Sequence, residues 1–146
     1  MTDGRGRPGA PAAGRGSPVR PALVVRMGDV APYSPANHHG TLNHRLIAPE
    51  TVGATAMELL HGRLEPGGAA LPHAHPGMDQ ICYLLEGRAR VSCRGETAEM
   101  GPGDACFFPR GEQHTFQVIG DVAVRVLVVY SPPYGEDPAK VVRQGG

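Results

Sequence analysis

Short apolar runs separated by glycine, proline and small polar residues fill most of this chain, and their lengths suit strands better than helices. Residues 55–64 (TAMELLHGRL) form one candidate, closed by a turn at Pro66-Gly67-Gly68. A short helix would also fit its pattern, but the flanking glycines favour a strand. Residues 81–85 (ICYLL) end at Glu86-Gly87, and residues 122–130 (VAVRVLVVY) form the last and most apolar strand. Between them, residues 88–94 alternate basic with small or apolar side chains, as a half-exposed strand does, with Arg88 and Arg90 on the solvated face. Gly95-Glu96 makes a hairpin, 97–100 the return, and 101–104 (GPGD) a tight turn into 105–108 (ACFF). Residues 23–30 read as a first strand and turn on the outside of the molecule.

Alternation also assigns faces. With Arg63 toward solvent, Leu60 and Leu64 point inward and Glu58 shares their side. A buried unpaired carboxylate is costly, so Glu58 is expected at a rim, with a buried acid near substrate as the other reading. His61 shares the face of Arg63 and is expected at the surface or an interface. Phe116 and Val118 should line the inside beside His114, and Cys82 should lie near the same cavity as a small buried hydrophobe.

The chain has 146 residues, enough for one domain with a real core. The expected division is a disordered Gly/Pro/Arg-rich leader over 1–22, one β-domain over 23–134 and a polar tail over 135–146 that folds over a neighbour. A formal net charge of zero argues against nucleic acid or an anionic membrane as the main partner. Three cysteines without CxxC spacing suggest reduced thiols and a cytoplasmic location. No stretch resembles a membrane span or the apolar core of a signal peptide.

Seven histidines carry the candidate chemistry. His73 and His75 are two apart, so on an extended segment both imidazoles project to one side. Pro76-Gly77 should turn the chain so that Gln80 returns to the same cavity from the next strand. His114, framed by Pro109 and Gly111, is the expected fourth donor. His73, His75, Gln80 and His114 together suit one divalent transition metal ion, with Zn, Fe, Ni or Mn as candidates. Three further histidines, His38, His39 and His44, lie in a polar stretch over 33–47. That stretch is either a solvated loop or the source of an additional ligand or general base, with His44 and His39 ahead of His38.

These residues carry a resemblance. Gly67, His73, His75, Gln80 and Gly87 match the first cupin motif, G-x5-H-x-H-x4-E-x6-G, with Gln in place of Glu. Gly103, Pro109, Gly111 and His114 match the second, G-x5-P-x-G-x2-H-x3-N, with Val118 in place of Asn. The chain thus resembles a single-domain cupin over about residues 42–130. The resemblance implies an all-β jelly-roll barrel, or double-stranded β-helix, with a metal near its centre. Cupins host many chemistries, so the reaction does not follow from the fold. Gln80 leaves the ion with nearly its full charge, which favours Lewis-acid work over redox work. Some cupins with a similar His, His, Gln, His set are zinc-binding polyketide cyclases, in which an additional His joins the metal, and others open cyclic unsaturated uronates.

Three functions are therefore expected, in this order. The first is a metal-dependent cyclase, isomerase or dehydratase on a small organic substrate, possible catalytic residues being His44, His39 and Glu58. The second is a non-haem iron dioxygenase, and the third a non-catalytic small-molecule-binding module. No GxSxG elbow, phosphate loop or dinucleotide fingerprint supports another class. A homodimer is expected, with the first strand and the Pro-rich tail offering material for exchange between subunits.

Overall fold

The computed structural model describes residues 22–143, so the expected leader lies almost wholly outside the described residues. Nine strands follow in order: β1 (His38–Ile47), β2 (Glu58–Ala74), β3 (Asp79–Glu86), β4 (Ala89–Cys93), β5 (Glu96–Met100), β6 (Ala105–Phe108), β7 (His114–Val118), β8 (Val124–Ser131) and β9 (Val142–Arg143). Every pairing between them is antiparallel. The strand order β5-β4-β7-β2-β8-β3-β6, with β1 and β9 also on β2, forms a nearly closed barrel. This is the all-β jelly roll that the turn spacing and the two motifs implied.

The central element is β2, and it differs from expectation. Pro66-Gly67-Gly68 does not end the strand but bends it, and the strand continues to Ala74. Its first half pairs with β8, its second half with β7, and β1 follows it across the bend. Glycine is required at the bend: Gly67 has φ +80°, and a Cβ on Gly68 would lie 2.7 Å from the Glu65 carbonyl oxygen. One strand therefore serves both walls of the barrel. Leu60 and Leu64 lie on one wall and Ala70 and Phe116 on the other, all of them in one buried core.

Three other expectations are corrected. Residues 23–30 form no strand: Leu23 and Val24 are exposed, and Met27–Asp29 is a single 3-10 turn. The polar stretch taken as a possible loop is β1 from His38 onward, because its backbone pairs with β2. Beyond Tyr134 the tail, as far as Arg143, folds back on its own barrel, where β9 pairs with His73 and Ala74 of β2.

The faces follow alternation with two surprises in burial. Glu58 does share the side of Leu60, but it is completely buried rather than at a rim. Arg45 Nε lies 3.5 Å from the Glu58 Oε1 without forming a hydrogen bond, and the backbone N–H of Gly135 donates to Oε2 at 3.0 Å. Burial nevertheless raises the carboxyl above its ordinary value. His61 is buried too, with the Arg125 guanidinium donating to its Nε2 at 3.2 Å.

Candidate metal centre

The barrel wall brings three imidazoles to one place. His73 stands directly opposite His114 in the β2–β7 ladder, so both project to the same side. His75 follows one residue beyond the end of β2, and its carbonyl accepts the Gly111 N–H at 2.9 Å, tying the two motif turns together. Asp79 reinforces the tie by accepting from the Arg110 backbone N–H at 3.0 Å. One nitrogen from each of His73, His75 and His114 lies within 4.8 Å of the others, an arrangement that could hold a metal ion.

The tautomers are set by backbone carbonyls. The Nδ1–H of His73 donates to Leu71 O at 2.6 Å, that of His114 to Glu112 O at 3.0 Å, and that of His75 to Lys140 O at 3.0 Å. Each Nε2 is then left as a lone-pair donor. In His75 and His114 that atom is buried without any partner. Hydrogen bonding at the outer nitrogen that fixes ring orientation is what ligating histidines need.

Gln80 pairs with Phe108 and Tyr130 across its two neighbouring strands and lines the same cavity. Its amide N–H donates to Cys82 Sγ at 3.5 Å, and its Oε1 is buried with no partner. A buried acceptor without a donor costs about 1–3 kcal/mol. Two orphaned imidazole nitrogens within 4.8 Å of each other, with an orphaned amide oxygen lining the adjoining cavity, fit a cation better than they fit an apolar core.

Burial holds the imidazoles neutral, as ligands must be. It lowers His75 to about 4 and His114 to about 3, with neighbouring His73 adding to both shifts, and it lowers His73 as well. Phe108 stacks flat on His114, ring centroids 4.2 Å apart and 5° between planes. The Tyr134 ring packs on His75 at 4.5 Å.

The cavity beside His73, Gln80 and His114 is narrow, about 40 Å³. Its walls are largely apolar, with Leu60, Leu64, Phe116, Val126 and Val128 among them, and no Arg or Lys lines it among the described residues. Cys82 also lines it, as expected, and its thiol is held protonated by the Cys106 thiol across the ladder and by burial.

The three expected catalytic residues are not brought to this cavity. His39 is exposed, and His44 stands opposite His61 on the outer side of the sheet. Glu58 is buried at the start of β2, outside the cavity lining. The residue that does reach the cavity is His38, its ring 6.2 Å from that of His73 and its basicity lowered by burial to about 4. Sequence reasoning ranked it last of the three. A register shift between His39 and Thr41, with Gly40 at φ +61°, puts His38 on the same side as Thr41 and Asn43.

The family profile described as a cupin domain matches residues 60–130. The tetracenomycin polyketide synthase protein TcmJ of Streptomyces glaucescens is 35% identical over 114 residues, 78% of this chain and 74% of that protein. The chain belongs to the cupin family. Among solved structures, the polyketide cyclase RemF of Streptomyces resistomycificus superposes on this cupin with a TM-score of 0.65 and 32% identity, covering 75% of this chain and 78% of that one. An oxalate-binding protein of Thermotoga maritima is 27% identical over 111 residues, 73% of this cupin and 92% of that protein.

Proposed function

We propose that this cupin is a metal-dependent enzyme that acts on a polyketide-like substrate, as a cyclase, isomerase or dehydratase. The observation that carries the reading is the neutral donor set: the clustered His73, His75 and His114, and the orphaned Oε1 of Gln80, which lines an apolar cavity together with His73 and His114. The similarity to TcmJ and to the polyketide cyclase RemF supports the substrate class. A divalent ion, Zn before Fe, Ni or Mn, would supply Lewis-acid polarisation of a carbonyl or enol oxygen.

The chain's own residues would do the rest. Apolar side chains of Phe116, Leu60 and Val128 would pack against an enolic or aromatic group at the cavity and keep water from it. His38, at the cavity edge and neutral, is placed to take a proton from the substrate. His39 and His44 would need to swing inward to serve in that role.

The test is metal analysis of the purified protein, followed by turnover of a poly-β-ketone panel with and without air. The expected result is oxygen-independent conversion that stops when a chelator removes the metal. Oxygen consumption matched to product would replace this reading by a dioxygenase. Stoichiometric metal with tight ligand binding and no turnover would replace it by a binding module.

The proposed assembly is a homodimer, through a different surface from the terminal segments. On the outer side of the sheet, Phe107, Ile81, Val129, Leu59 and Ile47 stand directly opposite one another across β6, β3, β8, β2 and β1. Phe107 is 56% and Ile81 43% exposed, at one end of an apolar strip five strands wide. Strips of this size on a monomer mark interaction sites. The row of β3 ends in one ion pair at each side, Asp79 with Arg110 and Glu86 with Arg125, so two copies packed antiparallel meet with neutral ends.

A further inference from the structure

The three imidazoles are held in place in two different ways. His73 and His114 each donate to a carbonyl two residues back in their own chain segment, so their orientation comes with the strand. His75 donates to Lys140, 65 residues away, in the segment that follows the last barrel strand. That segment lies outside the 60–130 range of the cupin profile.

We infer that residues 134–143 form a strap that positions His75 for metal, with the Lys140 carbonyl as its working end. The inference rests on the ligand set proposed above. Three attachments to the barrel and one internal turn hold the strap. At its start the Gly135 N–H donates to the buried Glu58 carboxylate at 3.0 Å, and Tyr33 donates to Glu136 at 3.2 Å. Next comes a 3-10 turn, Pro138–Lys140, capped by Asp137, whose Oδ1 accepts from the Ala139 N–H at 2.9 Å. The Lys140 N–H then closes on Asp137 O at 2.9 Å, which directs the Lys140 carbonyl toward His75. Finally β9 pairs with His73 and Ala74, so the strap also covers the strand that carries the ligands.

This gives the buried Glu58–Arg45 pair a purpose other than proton transfer. A carboxylate with no exposure holds the first peptide of the strap and touches nothing in the metal cavity. The Tyr134 ring, packed on His75 from the side, completes the support. Losing the outer hydrogen-bond partner of a ligating histidine weakens metal affinity by about 10–100-fold. The strap is therefore a positioning element, and the loosening of its turn should be felt at the metal.

The experiment uses the full chain and Zn2+ competed against a chromophoric chelator, with Co2+ absorption as the spectroscopic reading. The triple variant D137G/P138G/V142G removes the cap, the ring that stiffens the turn and the side chain of β9, while leaving every proposed ligand in place. It should bind Zn2+ about 10–100-fold more weakly and show an altered Co2+ band. D137N, which keeps a capping oxygen, should restore near-parental affinity when it replaces D137G and the other two positions are returned to the original. Unchanged affinity and an unchanged Co2+ band in the folded triple variant would overturn the inference. In the unaltered chain without metal, nitrogen NMR should find the His75 proton on Nδ1; a proton on Nε2 would overturn it independently of any variant. If instead the unaltered chain binds no Zn2+ while His75 carries its proton on Nδ1, the strap stands and the proposed ligand set fails.

Discussion

The inner and outer sides of the sheet formed by β2, β8, β3 and β6 are built from alternate residues of the same strands, and each carries a row of apolar side chains. Leu60, Val128 and Cys82 point into the cavity, whereas Leu59, Val129 and Ile81, each one residue away, point out. The inner row is closed over by the opposite wall and ends in the candidate metal ligands. The outer row is closed over by nothing among the described residues. Within these two rows polarity does not distinguish inside from outside, and what separates them is which side the bent β2 folds around.

Four changes test that contrast, the largest effect first. Phe108→Ala on the inner side removes a buried ring and should cost about 3–5 kcal/mol in chemical denaturation. It should also loosen His114, on which Phe108 stacks. A loss below about 1 kcal/mol would mean that the inner row is not a packed core. His75→Ala should reduce zinc affinity by at least about 100-fold, since one of four proposed donors is gone. Stoichiometric metal surviving dialysis in that variant would refute the ligand set.

The third change is pH, applied to metal-free protein. His38, His75 and His114 have folded pKa values of about 4, 4 and 3, below the ordinary value of 6.5. The unfolded chain therefore takes up protons first as pH falls. Stability is complete above about 6.5 and is lost on acidification toward about 4 and below. Each histidine contributes up to about 1.4 kcal/mol per pH unit. Urea midpoints that stay level between pH 6.5 and 4.5 would contradict this. The fourth change, Ile81→Lys on the outer side, should leave subunit stability within about 0.5 kcal/mol. Light scattering should show it to be monomeric where the parent is a dimer. A parent that is monomeric across micromolar concentrations would remove the proposed interface.

The fold and the cluster of three imidazoles are legible because both depend on local pattern. Turn residues delimit the strands, and the HxH spacing places two imidazoles on one side whatever the register. Gln80 and His114 followed from the motif spacings. What escaped the sequence depends on pairing between distant segments. His38 points inward only because the ladder between β1 and β2 slips by three positions at Gly40, an odd number that reverses the parity on which alternation relies. Glu58 looked too costly to bury because its partners, Arg45 and Gly135, come from 13 residues before it and 77 after it. The tail carried no strand signal, since Val142–Arg143 becomes a strand only by lying against β2. Leu23 and Val24 erred in the other direction: a short apolar run with no neighbour to pair with stays outside.

The bend in β2 has a consequence for how this chain can vary in length. Its first half is locked to β8 and its second half to β7, with only Glu65 to Gly68 between the two ladders. A single residue deleted there would turn every later side chain of the strand to the opposite face and swing His73 out of the barrel. Loops at the hairpins can lengthen without reaching the imidazoles, but this short corner cannot lose or gain one position.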